Sequence, residues 1–164
     1  MPQLSAMHLS SSRRYEVQRT YNFEVVISGL SEDITLNVIR FPLPNLSTPA
    51  ITLSHGNTDA FVAGRAQWDA GELTIRDTIG ADIEAQINTW RRMVYNENTD
   101  QIGWAADYQK EAIVYQYSPD GTVSRKWKLF GVWPEAVNFG QLDMETSDKK
   151  TIAMTLRYNK ALRI

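Results

Sequence analysis

The sequence contains no cysteine among its 164 residues. This absence excludes disulfide bonds, thiolate nucleophiles and cysteine-ligated metal sites. Only two histidines are present, His8 and His55, and neither lies beside a second ligand residue, so we expect no metal and no cofactor. With 17 basic against 19 acidic residues the net charge is -2, which disfavours a dedicated nucleic-acid reader.

Long hydrophobic runs are also missing. No apolar stretch approaches the ~18 residues that a membrane span requires, and residues 1–20 lack the pattern of a signal peptide. We therefore expect synthesis in a cytoplasm and no membrane insertion by this chain. The length fits one domain, predicted at residues 19–164, preceded by a polar arm at residues 1–18.

Catalytic motifs are lacking as well: the sequence has no P-loop, G-x-G-x-x-G, G-x-S-x-G or H-E-x-x-H. The segment DMETSD, residues 143–148, clusters three carboxylates, but without the spacing of a calcium loop it is more typical of a solvated turn. These observations predict that the chain is not an enzyme.

Alternating polarity predicts most of the secondary structure. Residues 21–27 and 34–40 alternate in the manner of half-buried strands, and the turn SGLSED between them predicts a first hairpin. Residues 51–64 predict a second, projecting hairpin around His55, Gly56 and Asn57. Residues 67–76 predict a longer strand with a bulge at Gly71. The turn SPDG predicts a third hairpin, and residues 150–158 a last strand.

A single stretch has helical periodicity. Ile83, Ile87, Trp90 and Val94 recur on one face between residues 81 and 95. The fold class is therefore α+β and mainly β: a sandwich or open barrel of about seven to eight antiparallel strands with one flanking α-helix. The predicted core residues are Phe23, Val25, Ile27, Leu36, Ile83, Ile87, Trp90, Trp127, Leu129, Ile152, Met154 and Leu156.

The segment KWKLFGVWP, residues 126–134, is the most aromatic of the predicted strands. Strict alternation places Trp127 and Leu129 on one face, and Phe130 and Val132 on the other. Both faces should then be at least partly covered, and Pro134 should bend the chain away from that sheet. Tryptophans can also stack on bases or sugars, so a small-ligand-binding or nucleic-acid-binding β domain remains an alternative.

The order of several segments resembles the tail tube proteins of contractile-tailed bacteriophages. The resemblance runs from about residue 21 to the C-terminus and includes FPLPN, the hairpin ending near VAG, WDAGELTIRD, DIEAQINTWRRMVY, YQKEAIVYQYSPDG, FGVWPEAVNFGQLD and KKTIAMTLRYNKA. None of these segments is a catalytic fingerprint. The resemblance is specific because of the number, order and spacing of these segments. The chain departs from the family pattern in the longer arm and in the basic end NKALRI.

The resemblance implies a structural subunit of the inner tail tube, in which hexameric rings stack and inner sheets join between subunits into one closed barrel. Double-stranded DNA would pass through the lumen during ejection. Implied partners are further copies, the tail sheath, the tape-measure protein, the baseplate and the tail terminator, and the implied location is the virion after assembly in the host cytoplasm. A tube-initiating baseplate protein, or the inner tube of a contractile bacteriocin or type VI-like machine, is the nearest alternative.

Two sets of residues follow from this resemblance. Strand parity assigns the polar face to the lumen, with Glu24, Thr35, Asn37, Glu72, Thr74, Thr151 and Thr155. The predicted contacts between rings are Arg13, Arg14, Pro42, Pro44, Ser54, His55, Gly56, Asn57, Thr58 and Asp59.

Overall fold

The computed structural model describes residues 6–164. The strands are Phe23–Ile27 (β1), Val38–Arg40 (β2), Leu46–Ser47 (β3), Ala50–His55 (β4), Thr58–Ala63 (β5), Gln67–Trp68 (β6), Gly71–Arg76 (β7), Tyr95–Asn96 (β8), Gln101–Ile102 (β9), Lys110–Tyr117 (β10), Val123–Asn138 (β11), Thr151–Arg157 (β12) and Lys160–Arg163 (β13). The α-helices are Ala6–Ser11 (α1), Glu32–Asn37 (α2), Ile83–Val94 (α3) and Ala105–Tyr108 (α4), with a 3-10 turn at Arg13–Tyr15.

Seven strands form one sheet in the order β1-β10-β11-β12-β7-β2, with β13 also paired to β11. Every pairing is antiparallel. Three pairs of short strands form separate two-stranded sheets: β3-β6, β4-β5 and β8-β9. The predicted fold class, mainly β with an antiparallel sheet and few helices, is confirmed, although four helices are present where one was expected.

The long strand β11 belongs to both parts of this sheet. Its first half pairs with β10 and β13, and its second half pairs with β12. At Gly131 the backbone has a φ of 66°, and a Cβ there would lie 2.3 Å from the side-chain nitrogen, Nδ2, of Asn159. Glycine alone adopts this conformation without strain and leaves room for the close approach. The sheet therefore bends at Gly131, within strand β11.

This bulge corrects two predictions about KWKLFGVWP. The pairing register shifts between Leu129 and Val132, so both residues reach the core, at 1% and 0% exposure. Strict alternation had placed them on opposite faces. The strand also continues through Pro134, which is buried and lies opposite Leu156. The main change of direction is thus at Gly131, three residues before the proline.

The core is one cluster that collects the inner faces of both parts of the sheet. Helix α3 covers it with Ile83, Ile87 and Trp90, each at most 1% exposed. The helix begins at Asp82, whose carboxylate accepts a hydrogen bond from the backbone N–H of Ala85. The indole of Trp90 donates to the carbonyl of Tyr108 at 2.8 Å. This bond joins α3 to α4, while the buried side chains of α3 pack it into the core.

Lys150, the residue before β12, also holds α3 in place. The ammonium of Lys150 lies 3.2 Å from the carboxylate of Asp77 and is hydrogen-bonded to that of Glu84. These carboxylates raise the pKa of Lys150, with the Glu84 hydrogen bond as the largest cause. Because Glu84 is on the first turn of α3, the ion pair joins the helix to the ends of β7 and β12.

The first predicted hairpin was wrong. Strand β1 pairs with β10, and residues 32–37 form helix α2 in place of a strand. Glu32 and Asp33 lie in the first turn of that helix, where carboxylates interact favourably with the helix dipole. Consequently Ile34 is buried at 2% exposure, whereas Leu36, a predicted core residue, is 72% exposed. The other predicted core residues are buried, apart from Phe23 and Trp127, which are partly buried against the cluster.

The contrast between Ile34 and Leu36 gives a direct test of this correction. We expect Ile34→Ala to lower the free energy of unfolding by about 2–5 kcal/mol, the usual cost of truncating a buried aliphatic side chain. Leu36→Ala should change it by less than about 0.5 kcal/mol because an exposed side chain makes few contacts. Denaturant unfolding of both variants measures the difference. Similar losses for the two would restore the strand interpretation.

Candidate subunit-assembly surfaces

The β4-β5 hairpin projects from the body and is exposed along its whole length. Every residue of both strands is exposed, and the two strands pair only with each other. A two-residue turn, Gly56 and Asn57, closes it, and Gly56 has a φ of 62°. At its base the N–H of Gly64 donates to the carbonyl of Pro49 at 2.7 Å. The hairpin predicted from the sequence is therefore present.

One face of this hairpin is apolar. The cross-strand pairs Ile51–Val62 and Leu53–Ala60 share that face, and Ile51, Leu53 and Val62 are 50%, 51% and 47% exposed. Residues on the same face of an antiparallel pair pack side by side. A two-stranded sheet is at best marginally stable alone in water. The rest of the described chain leaves this apolar face exposed to solvent.

The residues predicted to contact a neighbouring ring lie in three places. Ser54 to Asp59 form the tip of the projecting hairpin. Pro42 packs against Gly71 of β7. In the same loop, the backbone N–H of Asn45 donates a hydrogen bond to the hydroxyl of Tyr158. Arg13 and Arg14 form part of the 3-10 turn in the arm. Among residues 6–164 no hydrogen bond or ion pair joins these groups to one another, and their role in ring contacts stays a prediction.

Four predicted lumen residues share one outward face. Thr155 lies opposite Glu72, and Thr151 lies opposite Arg76, with Thr74 opposite Ala153 between them. Their neighbours on the strands, Leu73, Ile75, Ile152, Met154 and Leu156, point into the core. This polar wall is defined here as the outward face of β7 and β12.

Three predicted lumen residues lie elsewhere. Thr35 and Asn37 belong to helix α2, so strand parity does not apply to them. Glu24 lies on β1, at the far end of the sheet order, opposite Tyr115. That second outward face is more basic and aromatic: Lys126 lies opposite Tyr115, and Lys128 lies opposite Leu162. Only the β7-β12 wall keeps the predicted polar, weakly charged character.

Glu24 forms a specific contact on that second face. Its carboxylate accepts a hydrogen bond from the hydroxyl of Tyr117, which raises the pKa of Tyr117 to about 12. The rings of Tyr115 and Tyr117 stack with centroids 6.4 Å apart, and the ammonium of Lys126 lies 5.3 Å from the Tyr115 ring centroid. These contacts hold the side chains in an ordered surface cluster.

Several strand edges remain open. β1 and β2 end the seven-stranded order, and β13 pairs only with β11. The second half of β11 pairs only with β12. Open edges present unpaired N–H and C=O groups that favour pairing with another chain. These edges are positions at which a further strand can pair.

Within residues 6–164 no group of three or more His, Asp or Glu side chains is placed to hold a metal ion. The described residues also include no buried charged side chain. None of the helices among them combines the length and hydropathy needed to cross a bilayer. A crevice lies between the arm and the tip of the β10-β11 hairpin.

Two surfaces were missed by the sequence analysis. One is the crevice at the arm, and the other is the segment 141–149, where every residue is exposed, including Leu142 and Met144. The acidic run in this segment was visible, but its full exposure depends on how β11 and β12 end. Apart from these two surfaces, Ile102 and Trp104, which follow helix α3, are also exposed.

The fold is shared with components of contractile injection systems. The chain superimposes over 98% of its length on 99% of a chain from the anti-feeding prophage tube-terminating cap, with a TM-score of 0.70 and 14% identity. It matches over 99% of its length, and 99% of the other chain, a protein in the sheath-tube complex of an extracellular contractile injection system, with a TM-score of 0.65 and 15% identity. No family model matches the sequence.

A sequence relative gives a more particular comparison. The tail tube protein gp19 of Enterobacteria phage T4 is 28% identical over 137 residues, which are 82% of this chain and 84% of that protein. The resemblance to tail tube proteins of contractile-tailed phages is therefore confirmed.

Proposed function

We propose that this chain is a structural subunit of the inner tube of a contractile phage tail. The projecting β4-β5 hairpin carries the proposal, because its apolar face is left uncovered by the subunit itself. The open strand edges support the same conclusion, since closing copies into a ring pairs every edge. The relatedness to phage tail tube proteins and the shared fold with tube and cap proteins agree with it.

In this proposal hexameric rings stack into a hollow tube, and inner strands of neighbouring copies join into one closed barrel. The β7-β12 wall lines the lumen. Its residues are threonines and an alanine, with one acidic residue, Glu72, and one basic residue, Arg76. The nearby Arg157 forms an ion pair with Glu135 at 3.1 Å. DNA carries one charge per about 1.7 Å of helix axis, so a basic wall would retain it at every ring. A weakly charged wall lets it slide during ejection.

The partners of such a tube are proposed on the same basis. The sheath would surround it, the baseplate and terminator proteins would meet its two ends, and the tape-measure protein would be a further partner. The subunit would be made and assembled in the host cytoplasm and carried in the virion. We assign it no catalytic role and no cofactor.

A second candidate is the inner tube, or a tube-initiating subunit, of an injection machine that carries no genome. The likeness to the anti-feeding prophage cap and to the extracellular injection system favours it, since the fold covers nearly the whole of both chains. The two candidates share one subunit architecture and differ in what moves through the bore.

Electron microscopy of the purified protein tests the proposal. We expect negatively stained rings or hollow tubes with six-fold end views, and a sedimentable fraction that grows with protein concentration. A protein that remains monomeric at every concentration, with no ring in the images, would contradict a tube subunit of either kind.

A further inference from the structure

The tip of the β10-β11 hairpin and the segment that follows β11 lie at opposite ends of one long strand. β11 has 16 residues, so at about 3.3 Å per residue its path is on the order of 50 Å, with a bend at Gly131. Residues 118–122 precede it, and residues 139–150 follow it. Among residues 6–164 no hydrogen bond or ion pair joins residues 141–149 to the residues around the hairpin tip. A contact between these two surfaces would therefore be made between different copies.

At the first end, the arm and the hairpin tip enclose a crevice of about 710 Å³. The amide nitrogen of Gln18 donates to the carbonyl of Tyr117 at 3.0 Å, and the hydroxyl of Ser124 donates to the amide oxygen of Gln18 at 2.7 Å. Asn22 donates to the same Tyr117 carbonyl. We call this space the arm crevice. These bonds tie the arm to the body, so the crevice is a formed feature of the fold.

The arm crevice is lined by three arginines, Arg13, Arg19 and Arg125. Arg19 pairs with Glu16 at 2.8 Å. Arg13 and Arg125 form no ion pair within 4.0 Å among residues 6–164. Two guanidinium groups are thus available to a carboxylate that enters the crevice, and arginine binds carboxylates with paired hydrogen bonds.

The two acids that line the crevice are both engaged locally, Glu16 by Arg19 and Asp120 by Thr122. The carboxylate of Asp120 accepts from both the hydroxyl and the N–H of Thr122, at 2.7 and 3.2 Å. These bonds lower the pKa of Asp120, and the charge of Arg13 is a smaller cause. Val17 and Pro119 add apolar surface to the same lining. The crevice is therefore suited to a segment that carries both acidic and apolar side chains.

Such a segment lies at the other end of β11. Residues 141–149, here called the acidic loop, are all exposed, and Leu142 and Met144 are 86% and 106% exposed. Asp143 and Glu145 alternate with them and form no ion pair within residues 6–164. Large apolar side chains fully in water are costly at about 25 cal/mol per Å² of apolar surface.

We propose that the acidic loop of one copy occupies the arm crevice of the next copy, so that subunits join head to tail. Asp143 and Glu145 meet Arg13 and Arg125, while Leu142 and Met144 pack on Val17 and Pro119. A contact between two different surfaces repeats without limit along an axis, which suits a stacked tube. The proposal rests on the tube function above and names the residues that connect successive rings.

Because the chain has no cysteine, disulfide trapping tests the pairing directly. In the double variant Val17→Cys, Met144→Cys, oxidation should give a ladder of linked chains on a denaturing gel. Each single variant should give dimers at most. The matched control Val17→Cys, Ile102→Cys replaces a residue that is also highly exposed, 79%, and should give no ladder.

The two ways of failing are separable. Tubes without a ladder would overturn the pairing and leave the tube function standing. A ladder from a protein that never forms rings or tubes would support the pairing and contradict the tube function. Absence of both would overturn both.

Charge reversal gives a second, independent test. Arg13→Glu with Arg125→Glu, and Asp143→Lys with Glu145→Lys, should each leave a folded subunit, checked by circular dichroism, with few tubes. Mixing the two variants in equal amounts should restore tubes, because each reversed crevice then meets a reversed loop. A mixture that stays as unpolymerised as its components would overturn the pairing.

Discussion

Replacing the hairpin tip, residues 54–59, with Asn-Gly is expected to leave a folded subunit that no longer forms tubes. Asn-Gly closes a two-residue turn well, so the shortened hairpin keeps an acceptable backbone. Every residue of β4 and β5 is exposed and outside the core cluster. The free energy of unfolding should therefore change by less than about 0.5 kcal/mol, as for other changes away from the core. Tube formation, measured by sedimentation and microscopy, should be abolished.

The apolar face of the hairpin supplies the matched comparison. Ile51→Asn with Val62→Asn removes the cross-strand apolar pair, and it should prevent polymerisation almost as completely as the shortened tip. Thr52→Asn changes the opposite face of the same strand and should leave tubes intact. Normal tubes from the shortened hairpin would show that the hairpin is free in the assembly and would remove the main support for the tube function.

Local chemistry explains which parts of the fold were predictable from sequence. The β4-β5 hairpin, the β10-β11 hairpin and helix α3 each carry their own signal: Gly56 and Asn57 at a two-residue turn, SPDG at the second turn, and a regular apolar stripe on the helix. These elements depend on residues within a short window. Their existence was therefore predictable without knowledge of the rest of the chain.

Residues 32–38 show where that reasoning fails. Ile34, Leu36 and Val38 alternate as a strand would, yet Ile34 and Val38 are also four apart, as on one face of a helix. Two features favour the helix over the strand. Glu32 and Asp33 lie in the first turn of the helix, and β10 occupies the position beside β1 that the second strand of a first hairpin would have filled. Strand partners distant in sequence are not encoded in a local pattern.

The assembly surfaces were predictable only in part for the same reason. Parity on β7 and β12 correctly separates core from outward residues, because both strands are regular. It fails for Val132, since the bulge at Gly131 shifts the alternation by one residue. Strand parity also cannot show whether Glu24 and Glu72 lie on the same outward face, because that depends on which strands are neighbours in the sheet.

The second large prediction concerns the passage of DNA along the β7-β12 wall. A tube in which Glu72, Thr74 and Thr155 are all lysine should release its genome much more slowly than the natural tube. One lysine per subunit becomes a ring of lysines at every level of the tube. Each phosphate contact contributes a slope of about -0.9 in the logarithm of affinity against the logarithm of salt concentration. Several contacts per ring, repeated along the tube, should slow release by orders of magnitude at low salt.

Receptor-triggered release from phage carrying the variant tube, followed with a DNA-binding dye, measures this effect. The delay should shrink steeply as salt is raised, which a merely obstructed bore would not show. Glu24→Lys is the matched control for Glu72→Lys, because both replace an exposed glutamate on a strand but on different outward faces. If Glu24→Lys slows release and Glu72→Lys does not, the lumen is lined by the face of β1 and β10. If neither the triple variant nor Glu24→Lys alters release, the bore does not govern DNA passage through its charge.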